Sequence, residues 1–367
     1  MPKATLRPAL LVSLALIAFQ VIATAAGKEY YLTQMTMAAC YSIVALGLCL
    51  VMGYAGQISL GHGAFFAIGG YTAAILATTH LAAAQGSAWG RWLLRAGLLH
   101  ARPGLYGGEV VCVTPWAAFA VALLLTAAIA LLIGYPALRL KGHYLAMATL
   151  GFGLIVYRIV LGSRFTGAAD GITGVPPWPL GGGLVVSGDR SVRVQNYYLA
   201  WGFVVLVAVL LANLVHSRAG RALRAIHGGE TAAGCMGVNT AAYKLKAFVL
   251  SALLAATAGV LLTHYNGGIG PSEAGAMKSV RYVALVAAGG MANLWGVLIM
   301  SSTLNFLSLR GCFGTYDDAL FGAILIAIVS LAPDGPLQPL AAWLRKRRAA
   351  RTKVPSKALN PEGATSG

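Results

Sequence analysis

Residues 53–66 read Gly-Tyr-Ala-Gly-Gln-Ile-Ser-Leu-Gly-His-Gly-Ala-Phe-Phe and lie between two long apolar runs. The glycines and the polar side chains of Gln57, Ser59 and His62 interrupt the hydrophobic pattern. Flexible backbone at membrane depth is tolerated only where protein or a water-filled cavity surrounds it. The stretch therefore predicts a broken helix that lines a path through the protein. The alternative is helix packing through small residues, in which glycines let two backbones approach closely.

The apolar runs on both sides of this stretch, and along the rest of the chain, indicate a membrane protein. Hydrophobic residues make up 58% of the 367 residues and charged residues only 10%, which is the reverse of what a water-facing globule needs. Runs of roughly twenty residues suit a hydrocarbon core about 30 Å thick. We predict an all-α, polytopic helical membrane protein with about ten transmembrane helices, some of them short or broken. The helices are expected near 8–26, 33–52, 63–80, 115–134, 143–163, 197–215, 246–265, 279–290, 294–311 and 318–333.

The chain is expected to form one transmembrane domain over residues 1–340, with a cytoplasmic insertion at about 216–246. A signal peptide is the alternative for the first run, because Lys3 and Arg7 precede it. A retained first helix is favoured, since the later runs already commit the chain to the membrane. Residues 341–367 are basic and predict a disordered cytoplasmic tail.

The net charge of +17 indicates orientation more than a nucleic-acid partner. Lysines and arginines gather in alternate connecting segments and after the last apolar run, so the positive-inside rule places both termini in the cytoplasm beside anionic membrane lipid. Residues 80–114 contain arginines and tryptophans and are expected to include an interfacial helix. The acids expected on the external side are Glu29, Glu109, Asp170, Asp189, Glu273, Asp317 and Asp318.

Sequence signatures of catalysis are absent. No GxxxxGK[ST], HExxH, GxSxG or paired CxxC pattern occurs, so neither an enzyme nor a metal or cofactor site is expected on this chain. His62, beside glycines, is expected to be a hydrogen-bonding group at a helix end and not a ligand. Acids and histidines within the predicted spans are scarce, which indicates that energy comes from another polypeptide.

Two polar segments outside the predicted helices are candidates for function. Residues 165–176 are expected on the external side, where Thr166, Asp170, Gly171 and Gly174 would form a gate or a docking surface; simple turns are the alternative. Residues 218–246 contain a short amphipathic pattern in which Arg221 and Arg224 stay in water. Such a helix suits a groove on a partner subunit; a solvated connecting loop is the alternative.

Several motifs in order resemble the LivM-type permease subunits of ABC importers for branched-chain amino acids. They are the stretch at 53–66, Tyr144–Gly153, Thr166–Pro176, Gly220–Ile226, Tyr243–Phe248 and Leu294–Gly296. The chain departs from the family pattern at His227-Gly228-Gly229-Glu230, which keeps only the last of the acids found there.

The resemblance implies an ABC importer permease fold in the plasma (inner) membrane of a bacterium. It also implies a second permease subunit forming a heterodimer, two cytoplasmic ATPase subunits that bind the ATP, and an external binding protein that delivers leucine, isoleucine or valine. Urea or a short amide is the alternative substrate, and a self-sufficient channel or secondary carrier the alternative mechanism. The implied path residues are Gly53, Gln57, Ser59, Gly61, His62, Phe65, Phe66, Thr149 and Phe152. The implied coupling residues, beside Arg221 and Arg224, are Glu230, Ala232, Ala233 and Gly237.

Overall fold

A computed structural model describes residues 3–80, 97–103, 109–138 and 143–311, with isolated positions between 319 and 330. Within these residues the chain is almost entirely helical. The helices are α1 (Lys3–Ala25), α2 (Tyr30–Cys49), α3 (His62–Thr78), α4 (Pro115–Ala137), α5 (His143–Gly162), α6 (Arg193–His216), α7 (Arg218–Gly228), α8 (Glu230–Cys235), α9 (Thr240–Asn266), α10 (Ala276–Gly289) and α11 (Leu294–Leu309).

The described helices confirm nine of the ten predicted ones, and they confirm the division of the late apolar stretch at Gly289 and Gly290 into α10 and α11. The predicted helix at 318–333 and the tail at 341–367 lie outside the described residues. A π-helical turn, Leu50–Tyr54, extends α2. Six helical spans in the described part of the chain are long and apolar enough to cross a membrane: Pro8–Ala25, Tyr30–Tyr54, Pro115–Ala137, His143–Gly162, Arg190–His216 and Thr240–Asn266.

Short antiparallel strand pairs connect some of the helices. They are β1 (Leu99–Pro103) with β2 (Glu109–Val113), β3 (Ile172–Thr173) with β6 (Gly268–Ile269), and β4 (Trp178–Gly181) with β5 (Leu184–Val186). The prediction of an interfacial helix within 80–114 is therefore wrong for the residues that form β1 and β2. Valines at 110, 111 and 113 favour strand over helix, and a glycine-rich connection at 104–108 favours a hairpin. Residues 81–96 lie outside the described part.

The centre of the bundle is the extensive contact between α3 and α9. A Cβ atom at Gly69 would lie 2.5 Å from the carbonyl oxygen of Ala256, and one at Gly259 would overlap the carbonyl oxygen of Phe66. Small residues allow this approach, which is how membrane helices gain packing energy without a hydrophobic driving force. α2 packs on α9, α6 and α11 around this pair.

The outer helices present apolar side chains to their surroundings. Only a small part of the spans in α1, α4 and α5 is buried within the chain. Their exposed faces include Leu14, Leu124, Leu132 and Ile155. Side chains of this kind on the outside of a helical bundle are suited to contact with lipid tails.

α9 fixes the two ends of the bundle, because its 27 residues extend about 40 Å. Its first turns contact α7 and α8, and we call this the insertion end. Its last residue leads into β6, which pairs with β3 at the opposite end.

Two helix breaks meet inside the bundle. The first joins α2 to α3 through residues 55–61, and the second joins α9 to α10 through β6 and a 3₁₀ turn, Pro271–Ala274. The backbone N–H of Gly63 in α3 donates to Ser279 Oγ in the first turn of α10, at 3.1 Å. Both short helices therefore begin in the protein interior, where their first turns contact each other.

Replacing Gly259 with leucine should destabilise the protein by about 1–3 kcal/mol or more, because the side chain would force α3 away from α9. The measurement is thermal unfolding in detergent. Gly202→Leu is the matched control, since a Cβ there meets nothing within 4 Å. Equal melting temperatures for the two variants would contradict the central role of the α3–α9 contact.

Candidate functional site

The end of α2 is held against the turn between α10 and α11. Tyr54 Oη donates to the carbonyl oxygen of Ala292 at 2.6 Å, and Cys49 Sγ donates to that of Met291 at 3.2 Å. A Cβ atom at Gly53 would overlap the Met291 carbonyl. Gly53, a predicted path residue, is therefore a close packing position in this structure.

The break after α2 buries polar groups that have no hydrogen-bond partner within the described residues. The side-chain amide of Gln57 and the hydroxyl of Ser59 are no more than 3% exposed and unpaired. The backbone N–H of Leu60 donates to Thr149 Oγ1 at 3.0 Å, which fastens the break to α5. Unpaired buried polar groups are costly, so Gln57 and Ser59 are available to a ligand or water once this region opens.

His62 begins α3 and bonds across to α9. Its Nε2 lies 2.6 Å from Ser251 Oγ, and the ring is 1% exposed. Its Nδ1 has no partner within the described residues. The expected role as a hydrogen-bonding group at a helix end is confirmed.

Aromatic rings fill the space beneath the break. The Phe65 ring centroid lies 5.1 Å from that of Phe152 and 5.6 Å from that of Phe248. Phe66 lies 6.0 Å from Tyr41. A Cβ atom at Gly61 would come within 3.0 Å of the Thr149 carbonyl oxygen.

The structure thus brings the predicted path residues together between α3, α5 and α9, but packs most of them shut. Phe152 is half-buried, and the other side chains of the set are buried. The exposed side chains next to them are Ile58, Tyr144 and Met147. In this chain these residues form a closed wall, and Ile58 and the side chains of Tyr144 and Met147 in α5 are exposed beside it.

The predicted gate segment forms turns at the end opposite the insertion. Thr166 Oγ1 donates to the carbonyl oxygen of Val160 at 2.6 Å and so closes the end of α5. Gly171 and Gly174 have φ angles of +71° and +74°, and a Cβ at Gly171 would overlap the Ile269 carbonyl. The turn alternative accounts for these residues, whereas Asp170 is exposed and stays available for docking.

The insertion forms the two short helices α7 and α8. In α7, Leu223 and Ile226 are buried while Arg221 and Arg224 are exposed, which confirms the amphipathic pattern. Arg224 also donates from a guanidinium nitrogen to the Val215 carbonyl oxygen at 3.3 Å.

The surface of α8 consists mainly of small residues. Ala233 is buried, while Ala232 and Gly237 are exposed beside Met236, which is 84% exposed. Glu230, the first residue of α8, forms an ion pair with Lys244 of α9. The ion pair ties α8 to the longest helix of the bundle.

α7 lies directly against the first helix break. Gly56 has a φ of +68°, and a Cβ atom there would lie 2.9 Å from His227 Nδ1. The insertion and the break are therefore in contact, although 171 residues separate Gly56 from His227 in the sequence. This contact was not predicted.

A partly buried ion pair was also missed. Lys278 Nζ lies 3.1 Å from Glu273 Oε1, and Tyr41 Oη donates to the same oxygen at 3.1 Å. Glu273 was predicted on the external side; the structure shows that the 3₁₀ turn brings its carboxylate against Tyr41 of α2. The sequence signal was an acid and a lysine just before the predicted start of the helix at 279–290.

Replacing Ser251 with alanine should destabilise the protein by about 1–3 kcal/mol, because the buried His62 ring loses its partner. Thermal unfolding of the purified protein measures the effect. Ser302→Ala is the control, since that hydroxyl is exposed and bonds only within its own helix. A Ser251→Ala protein as stable as this control would show that the His62–Ser251 bond contributes nothing.

Comparison with known proteins identifies a family for the chain. The family model for "Branched-chain amino acid transport system / permease component" matches residues 30–329. The high-affinity branched-chain amino acid transport system permease protein LivM of Salmonella typhimurium is 31% identical over 323 residues, covering 82% of this chain and 68% of the relative. No solved structure gives a significant match.

Two further relatives match along almost their whole length. The permease protein LivH of Salmonella typhimurium is 26% identical over 321 residues, covering 84% of this chain and 96% of the relative. The permease protein BraD of Pseudomonas aeruginosa is 27% identical over 324 residues, which cover 84% of this chain and 96% of the relative. With the family model matching most of its length, this multi-pass chain belongs to the family of branched-chain amino acid transport system permease components.

Proposed function

We propose that this chain is one permease subunit of an ATP-driven importer for leucine, isoleucine and valine. Family membership and the names of the relatives support the substrate class. The observation that carries the mechanism is the contact of His227 in α7 with Gly56 in the helix break. It connects a polar insertion, suited to a partner, to the wall of the predicted path.

The insertion end is proposed to face the cytoplasm, with both termini on that side of a bacterial inner membrane. Arg218, Arg221, Lys244 and Lys246 gather at this end, while the exposed carboxylate of Asp170 lies at the other. Lysine and arginine accumulate on the cytoplasmic side of membrane proteins, which supports this orientation.

A second permease is proposed to complete the path. The face formed by Ile58, Tyr144 and Met147 is exposed in this chain and borders the closed wall. Two permeases placed with such faces together would enclose a path between them. The chain is similar both to LivM and to LivH of Salmonella typhimurium, which supports a pair of related but different permeases.

The ATPase subunits are proposed to bind α8, and the external binding protein the turn region around Asp170. When the ATPases close on their nucleotide, α8 moves with them, and the Glu230–Lys244 ion pair passes the motion to α9. His227 passes it to residues 55–61. Displacing this break from Thr149 would open the wall and expose Gln57 and Ser59 to the amino acid.

Transport should require the complete assembly. Proteoliposomes containing both permeases, the ATPases, ATP and leucine-loaded binding protein are expected to accumulate radiolabelled leucine, and those containing this chain alone are not. Omitting ATP is the control within the assembly. Leucine uptake by the chain alone would contradict the proposal in favour of a channel or secondary carrier, and uptake of urea in place of leucine would contradict the substrate class.

Replacing Ala232 with tryptophan should reduce copurification with the ATPase subunits, because a large side chain would occupy the exposed face of α8. We expect association to weaken by about tenfold or more, as for loss of one well-packed interface contact. Ala120→Trp is the matched control, since Ala120 is exposed on the apolar helix α4. Unchanged ATPase binding and leucine uptake by Ala232→Trp would contradict the docking of ATPases on α8.

A further inference from the structure

A polar cluster occupies the point where the two helix breaks meet. Lys278 Nζ lies 3.1 Å from Glu273 Oε1 and donates to Tyr41 Oη at 3.3 Å. The ammonium group also lies 4.6 Å from the centroid of the Tyr41 ring. Glu273, Lys278 and Tyr41 thus hold one another in place. Some hydrogen-bond donors and acceptors in the cluster stay without a partner in the described part of the chain.

Acceptor and donor groups in the cluster have no partner within the described residues. Glu273 Oε2 is buried and unpaired, as are the hydroxyls of Tyr71 and Tyr282. The Tyr71 and Tyr282 residues are at most 3% exposed, so water in bulk does not satisfy them in the closed chain.

The cluster lies deep in the membrane-spanning region. Tyr41 is near the middle of the Tyr30–Tyr54 span, and Glu273 bonds directly to it. Ionisable groups at this depth are rare and usually face a substrate or ion pathway. The side chains of Glu273 and Lys278 are 15% and 29% exposed, so the pair borders an open surface.

That open surface is apolar next to the charges. Met277 and Val280, on either side of Lys278 in α10, are exposed. α5, which forms the proposed path face, packs on α10 and on the 3₁₀ turn that carries Glu273. An ammonium, a carboxylate and an aliphatic surface therefore lie next to α5, the helix that contributes to the proposed path face.

We propose that Glu273 and Lys278 form a transit site for the charged end of an α-amino acid, with Glu273 accepting from the α-ammonium group and Lys278 donating to the α-carboxylate. This inference rests on the proposed function. A zwitterion that leaves water loses hydration at both charges, and complementary charges fixed in advance offset that loss.

The internal Glu273–Lys278 pair also explains why such a site would hold its substrate weakly. To bind, the amino acid must separate Glu273 from Lys278. The binding free energy is therefore only the difference between the pair bound to substrate and the pair bound to itself. Glu273 Oε2 is unpaired and offers the first contact. Weak binding of this kind lets the substrate move on.

The test is the double variant Glu273→Gln/Lys278→Gln in the complete importer. Removing both charges leaves no unpaired buried charge, so the complex should still assemble. We expect leucine-loaded binding protein to stimulate ATP hydrolysis as before, while leucine moved per ATP falls by about tenfold, as for loss of charge-assisted hydrogen bonds. Glu29→Gln is the control, because the Arg193–Glu29 pair is 3.7 Å apart and lies near the surface; its uptake should not change.

The outcomes are distinguishable. Unchanged leucine transport per ATP in the double variant overturns the transit site and leaves the proposed function intact. Parallel loss of assembly, ATP hydrolysis and uptake shows a structural ion pair, and this too overturns the transit site. Failure of the wild-type importer to move leucine overturns the proposed function itself.

Discussion

The close contact between α3 and α9 supports everything else in the bundle. Gly69, Gly70 and Gly259 bring the two backbones together so tightly that side-chain bonds across the interface become short and well defined. The bond between His62 and Ser251 is one of them. Because lipid tails are as apolar as leucine, a membrane protein relies on such packing and on polar bonds between helices. The site geometry is therefore a consequence of small residues placed some distance from it.

A second constraint is that backbone polar groups within a bilayer need partners. Neighbours bind backbone groups at both helix breaks: Leu60 is bound by Thr149, Gly63 by Ser279, and β6 by β3. These partners come from α5, α10 and the segment after α5. The breaks are thus possible only because they lie inside the protein, and the same enclosure brings α10 with its lysine beside the buried tyrosines.

Local sequence patterns predicted the positions of most helices, but they did not predict which loops fold back into the bundle. Glycines marked the break at 53–61, and the alternation of apolar and basic residues marked α7, because both depend on near neighbours in the chain. The contact of Glu273 with Tyr41 was not predicted, because a loop that returns into the bundle is set by distant contacts, such as that of Gly171 with Ile269. The predicted path residues were found together, but whether they form an open lumen depends on a face that a second chain would cover. The sequence of one subunit contains no signal for that.

The π-helical turn at Leu50–Tyr54 sets the direction in which the residues after it point around the helix axis. A π turn accommodates one residue more than an α-helical turn, and one residue corresponds to about 100° of rotation around a helix axis. The directions in which Gly53 and Tyr54 point, towards Met291 and Ala292, therefore depend on the number of residues in this turn as much as on their identity. A deletion of one residue here would leave the composition and hydropathy of α2 almost unchanged, yet would turn the start of the break away from its neighbours. Length, at this position, is as specific a property of the protein as any side chain.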